Sequence, residues 1–395
     1  MKKKNLLILL VTSFLCGCNN TKYDNIYVHM TDGYFAGDEY VLPMNTFSNL
    51  RMYNNDQLNE VKGEFDNILK SLSKEVDRYY NYEGINNLKT INDSCGTNKA
   101  IEVSDSLYEI IELGVKLTKL SEGKFNLAMG GIIDLYSPLF VEEETTYNSL
   151  PEEEVLQSYV SNIPSYEVID EIIILDNENK TVTLNQFNDN NVIISLGALA
   201  KGFIMQKAYD YLKTFNYPAL YDAGSSTMGS IGFNPMSNDE NWTIALSNPV
   251  INVSNPEYLS TFKLTGDNFL SSSGDYQKHF IYKDENNVEQ LMHHIIDPRS
   301  GISNDFIRSV TLVSNDCSLA VLDALSTALF NVDTQQEFEK LLTTFEEEFS
   351  CEYAYLYTTQ FAQGNFKEVN VFLNDKFNDM ITSKYSDNVK NIKVV

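Results

Sequence analysis

Strand-like runs and helical patterns are mixed along this chain without strict alternation, and that mixture most limits its fold. A doubly wound parallel sheet requires strand and helix to take turns, so the pattern points to an α+β architecture. The segment 57–80 carries Leu58, Val61, Phe65, Ile68, Leu69, Leu72 and Val76 at helical spacing. Leu107, Ile110, Ile111 and Leu117 predict a second helix, with Ser104 or Asp105 as its cap. Ile172–Leu175 and Thr181–Leu184 flank a polar tetrad, which predicts a hairpin. Val192–Ser195 reads as a strand feeding through Gly197 into a helix marked by Leu199, Phe203, Ile204, Ala208 and Leu212. Ala219–Tyr221, Trp242–Leu246 and Val310–Val313 read as further strands, and helices follow from Ser318 to about Asn331 and around Phe338, Leu341, Leu342 and Phe345. The acidic stretch from Glu142 to Glu154 reads as a solvated insertion. No repeat of 20–50 residues interrupts this series.

Hydrophobic residues are 43% of the 395, enough for one large domain or two ordinary ones. The 29 basic and 55 acidic side chains give a formal charge of −26. Phosphate contacts need clustered Lys and Arg, so this balance argues against a nucleic-acid partner and against docking of the folded body on anionic lipid.

The first residues run against the acidic trend. Lys2, Lys3 and Lys4 precede a mostly apolar run from Leu6 to Leu15, the length of a signal-peptide core and too short to span a bilayer. The run ends in Leu15-Cys16-Gly17-Cys18, which resembles the bacterial lipobox. By that resemblance residues 1–17 are a lipoprotein signal peptide and Cys18 carries the lipid, anchoring the protein to the extracytoplasmic face of the cell membrane. The alternative is an ordinary signal peptide with two incidental cysteines. A polar tether then covers 18–40 and a single large domain 41–395. Cys95, Cys317 and Cys351 remain besides Cys18, an odd count without zinc-like spacing. At most one bridge forms among them, and spacing does not select it.

Four stretches could carry chemistry. In Ser195-Leu196-Gly197-Ala198-Leu199-Ala200-Lys201-Gly202, small residues at a strand–helix junction let backbone approach an anion, and Lys201 adds a point charge. Close helix–strand packing explains the glycines equally well, and the spacing is not that of a Walker loop. Asp222-Ala223-Gly224-Ser225-Ser226-Thr227 could expose backbone N–H groups or be a plain turn. The third stretch is Ser271-Ser272-Ser273-Gly274-Asp275-Tyr276 with the later His293-His294-Ile295-Ile296-Asp297-Pro298-Arg299-Ser300-Gly301. Adjacent histidines on a strand face opposite sides, so at most one serves a site. His293 reads as a surface residue, and His294 is the candidate acid or base. In the fourth, Asp323 and Thr327 lie at i and i+4 on one face of a largely apolar helix, an oxygen pair suited to magnesium. Solvent exposure is the plainer explanation of an acid there.

Together and in this order these stretches resemble the ApbE family of FAD:protein FMN transferases. SLGALAKGFI stands where that family has a motif like DLGGIAKGYA, SSSGDY where it has TSGDY, HIIDPRSG for HIIDPRTG, and LDALSTALF for ADALSTALF. Upstream, Met44-Asn45-Thr46 and the Phe125–Gly131 segment also have family counterparts, so the likeness runs from Met44 to Phe330. It implies a single T-fold-like α+β domain and magnesium-dependent transfer of FMN from FAD to a Thr or Ser hydroxyl of an acceptor protein, with release of AMP. It further implies Asp323, Thr327 and the Ala198 carbonyl as magnesium ligands, with Ser326 where some relatives place a second acid. Met44, Tyr82, Ala128, Met129, Gly130, Ser195, Lys201 and Ile296 align with cofactor-contacting positions, and His294 with the family's functional histidine. Attack at phosphorus depends on alignment and charge neutralisation, which a hard cation on pyrophosphate oxygens supplies.

Three departures stand out: Ser195 in place of an acid, Ser225 and Ser226 in place of glycines, and the Asn126–Gly131 segment, which lacks the usual Pro and Thr. An FAD pyrophosphatase giving FMN and AMP, or a non-catalytic flavin-binding lipoprotein, are the alternatives. The leader holds three of the 29 basic residues. The mature body is therefore more acidic still, and the expected source of positive field for an anionic cofactor is magnesium together with Lys201.

Overall fold

The computed structural model describes residues 26–53, 57–142, 146–215, 217–250 and 258–395. The leader, Cys18 and the first part of the tether lie outside the described residues.

A nine-stranded sheet organises the fold. Its strands are β1 (Ile26–Met30), β2 (Ser48–Tyr53), β3 (Ala219–Ala223), β4 (Thr227–Ile231), β5 (Asn268–Gly274), β6 (Ser309–Ser314), β7 (Ala354–Gln360), β8 (Val369–Leu373) and β9 (Val389–Val394). Their order in space is their order in the chain. Each neighbouring pair is antiparallel except the last, β8 with β9, which is parallel. The period-two alternation of β strands sends side chains to two separate cores. Tyr221, Phe269, Val310 and Leu312 join the larger core, whereas Leu220, Leu270, Val313 and Leu356 join the smaller one. Every residue of β3 is buried, because both faces of the sheet are covered.

The larger core is roofed by helices α1 (Leu58–Glu75), α2 (Asp105–Leu120), α3 (Ala200–Lys213), α4 (Leu319–Phe330) and α5 (Gln335–Phe349). Helix α3 packs between α1 and α4, and α4 lies directly on β5 and β6. This placement explains why α4 is largely apolar and enclosed on all sides: all its residues but Thr327 are buried. The hydroxyls of Ser104 and Ser318 accept from Leu107 N–H and Val321 N–H, capping α2 and α4. A hairpin of Trp242–Leu246 and Ser260–Leu264 covers the smaller core, with the short helix Asp375–Met380.

The structure departs from the sequence-based expectations at several points. Residues 26–40, assigned to the tether, belong to the folded body: β1 pairs with β2, and Tyr34–Ala36 forms a hairpin with Glu39–Val41. Val192–Ser195 is not a ladder strand. Its backbone bonds go to a loop and to side chains: Gly130 N–H to Ile193 O, Ser195 N–H to Leu127 O and Ile194 N–H to Asn92 Oδ1. Part of the presumed insertion is structured, since Val141–Glu142 and Thr146–Tyr147 pair with Lys278–Lys283 and a helix begins at Glu153. The first helix ends at Glu75, where the Asp77 side chain takes the N–H groups of Tyr79 and Tyr80. In the predicted hairpin, a short helix holds Ile172 and the strand spans Ile173–Asp176.

Candidate active site

A cavity of about 540 Å³ opens where the sheet, the helical roof and a smaller strand group meet. The junction into α3 supplies Ser195, Gly197, Ala198 and Lys201; α4 supplies Asp323 and Thr327; the 294–296 loop supplies His294 and Ile296; and Met44 and Met129 complete the predicted set on its walls. Tyr82, Ala128, Gly130 and Ser326 do not line it. The Tyr82 hydroxyl donates to Asp77 Oδ2 at 2.7 Å, and Lys74 sits over its ring. Ala128 N–H donates to Asn126 Oδ1, so the side chain of Asn126 builds the turn that the departing Asn126–Gly131 sequence needs. Gly130 is a packing glycine: a Cβ there would meet Ile193 O at 2.7 Å. Ser326 is fully buried behind Asp323, bonded to the hydroxyls of Ser271 and Ser273.

Asp323 is the buried charge of the site. Its Oδ2 accepts from Gly202 N–H at 2.9 Å, and its Oδ1 from the hydroxyls of Ser271 (3.2 Å) and Thr227 (3.4 Å). Burial raises its pKa, and the Lys201 charge together with these hydrogen bonds works against that rise. The contact to Gly202 decides one ambiguity of the sequence. A Cβ on Gly202 would overlap Leu319 O and lie 2.7 Å from Asp323 Cβ, so this glycine lets α3 and α4 touch. Gly197 has no such neighbour and faces the cavity.

The donor set fits magnesium. Asp323 and Thr327 reach the cavity wall beside Ala198, and all three offer oxygen. The Thr327 hydroxyl donates its proton to Asp323 O at 3.3 Å, which leaves its lone pairs available. Among the described residues no group of three His, Cys, Asp or Glu side chains gathers as a softer metal site would require.

His294 is exposed to the cavity yet enclosed by its walls. That enclosure, then the charges of Lys201 and Lys278, push its pKa down to about 4, so the ring is neutral at pH 7. His293 is not on the surface. It is 2% exposed, packs edge-on against Phe330 and holds Asn304 O through Nε2 while Nδ1 accepts from Ile295 N–H. These partners fix its neutral tautomer, and burial pushes its pKa down to about 3. The alternation of adjacent side chains thus separates a core histidine from a cavity histidine.

The conspicuous charges of two motifs brace the site. Arg299 chelates the Asp297 carboxylate, and its Nη2 also donates to Asn331 O at the end of α4. Asp275 pairs with the buried Arg308; burial raises its pKa to about 6 against the pull of that arginine.

Sequence reasoning missed several wall residues, Lys124, Lys278 and Asn331 among them. Lys124 and Lys278 line the cavity together with Lys201, so its positive field comes from three lysines in a strongly acidic protein. They were missed because cations at 124 and 278 are remote in sequence from the motif at 201. Asn331 caps α4, and its Nδ2 donates to Lys124 O (2.9 Å) and Ile296 O (3.4 Å), joining two walls. The rim is strained: Met44 and Asn45 both take left-handed backbone, with φ of 54° and 53°.

A concave, lysine-lined cavity with an oxygen cluster at its base, set on a long antiparallel sheet, defines a protein suited to a polyanionic ligand. The ApbE family model matches residues 44–350, and the chain belongs to that family. It is 27% identical over 230 residues to an FAD:protein FMN transferase of Klebsiella pneumoniae, covering 57% of this chain and 62% of that protein. It is 24% identical over 282 residues to one of Haemophilus influenzae, covering 70% and 73%. The fold is shared with the ApbE protein of Thermotoga maritima (TM-score 0.67, 20% identity, 91% of this chain and 100% of that one). It is likewise shared with the flavin transferase ApbE of Vibrio cholerae (TM-score 0.66, 17% identity, 90% and 99%).

Proposed function

We propose that this protein is an FAD:protein FMN transferase: it moves FMN from FAD to a Thr or Ser hydroxyl of an acceptor protein and releases AMP. The observation that carries this reading is the convergence of Asp323, Thr327, Ala198, Lys201 and His294 on one cavity. Lys124, Lys201 and Lys278 hold the pyrophosphate by charge. The neutral His294 ring accepts the proton of the acceptor hydroxyl, whose oxygen then attacks the FMN phosphorus; the pyrophosphate bond breaks and AMP leaves with its electron pair. Magnesium held by Asp323, Thr327 and the Ala198 carbonyl would neutralise charge on the phosphate oxygens. The lipobox-like leader supports an enzyme carried by a lipid on Cys18 at the extracytoplasmic face of the membrane, acting on acceptors there.

The test is incubation of the protein with FAD, magnesium and an acceptor bearing a Thr or Ser for flavinylation. Covalent flavin fluorescence in a denaturing gel and stoichiometric AMP are expected. AMP without labelled acceptor would replace transfer by hydrolysis. Asp323→Ala is expected to abolish AMP release, and wild-type rates in that variant would refute its role.

A further inference from the structure

Three buried cysteines lie outside the cavity, and two of them converge on one tyrosine hydroxyl. Cys317 Sγ is 3.6 Å from the Tyr353 hydroxyl, and Cys351 Sγ is 3.2 Å from the same oxygen. Both thiols are buried, at 2% and 3% exposure. The backbones that carry them are also held together. Strands β6 and β7 pair Val313 with Ala354, and the same register continued places residue 316 opposite 351. Beyond the ladder, Ser314 Oγ donates to Glu352 O at 2.8 Å and Glu352 N–H donates to Asp316 Oδ1 at 3.2 Å. Cys95 is elsewhere, with Val192 N–H and Asn185 O against its sulfur.

The geometry points to a disulfide between Cys317 and Cys351 as a covalent modification site of the mature protein. Thiol–disulfide exchange forms it: an external small-molecule or protein disulfide accepts two electrons and becomes two thiols, while both cysteine protons leave and one S–S bond closes. Tyr353 then keeps its hydroxyl against the bridge. Cys317 immediately precedes the Ser318 cap of α4, and Cys351 follows Ser350, the left-handed residue that ends α5. The bridge therefore closes a ring around α4 and α5 and pins the start of the helix that holds Asp323 and Thr327. In an exported protein such a ring persists, because no reducing pool opens it. The proposal goes beyond the transferase reading and does not depend on activity.

The full chain, purified folded, is equilibrated with oxidised glutathione, alkylated in denaturant and mapped by mass spectrometry. The expected product is a cross-linked peptide pair containing Cys317 and Cys351, two hydrogens lighter than the reduced pair, with Cys95 alkylated. The oxidised chain is expected to melt several degrees above the reduced one, and Cys317→Ser to lose that difference while Cys95→Ser keeps it. Full alkylation of both thiols, or a link to Cys95, would overturn the proposal. If Cys317→Ser does not fold, Cys351→Ala reads the same difference, and a melting shift that survives in it also refutes the bridge.

Discussion

Gly202→Ala isolates the contact on which the site's geometry rests. The added methyl would lie 2.7 Å from Asp323 Cβ and inside Leu319 O, both fixed to α4. Carbon atoms settle near 3.5–4.0 Å, so the helices must separate by about 1 Å. Overpacking of this kind costs roughly 1–3 kcal/mol, and the better helix propensity of alanine returns at most about 1 kcal/mol. Net destabilisation of about 1 kcal/mol is expected, readable as a lower urea midpoint with unchanged slope. The effect on turnover is larger. The Gly202 N–H to Asp323 bond stretches and the carboxylate moves relative to Lys201, and a displacement near 1 Å is worth about a hundredfold in rate. The assay is AMP release at saturating FAD beside the melt. A variant that keeps wild-type turnover with a lowered midpoint would show that the α3–α4 contact is packing alone. One that keeps both would refute the close approach itself.

Lys124→Met removes one cavity cation with little change of shape and is expected to raise the KM for FAD about tenfold, with a weaker salt dependence than the wild type; an unchanged KM would take Lys124 out of phosphate binding. Ser225→Gly relieves a left-handed residue at φ 58° and is expected to stabilise the fold by roughly 0.5 kcal/mol, since the relief of about 1 kcal/mol is partly offset by the freer unfolded glycine; a drop in the urea midpoint would contradict this. His293 binds its proton far more readily unfolded than folded. Its contribution is therefore complete above the ordinary histidine pKa and shrinks as pH falls from about 6.5 toward 3. Melts at pH 7 and 4.5 should show this loss, and His293→Gln should make it shallower; an equal slope in the variant would remove His293 as its cause.

Local chemistry wrote the helices plainly. The sequence offers Ser104 or Asp105 as one cap and starts another helix at Ser318; in the structure Ser104 and Ser318 are the caps, and the apolar spacing of α1 and α5 locates their buried faces. The C-terminal strands β7 to β9 were not legible, because β8 and β9 carry Asn and Lys among their apolar residues and gain their state from neighbours on the sheet. Ile26–Met30 failed for the same reason: as an edge strand it exposes Val28 and Met30. Within the site, what sequence could not supply was distance. Lys201 announces itself beside its helix start, but nothing in the sequence brings Lys124 and Lys278 to it, and nothing separates Gly202, which packs, from Gly197, which lines the wall.

The cavity takes its walls from Met44 near one end of the chain and from Asn331 far toward the other, across a sheet whose strands assemble in chain order. Such a site has a high contact order: its parts are joined only after most of the polypeptide has found its place. A chain still emerging from the ribosome lacks part of the cavity wall until Asn331 has been made. The cavity is thereby completed only when residues as distant as 44 and 331 are joined across the sheet, so its formation reports that the body around it has folded.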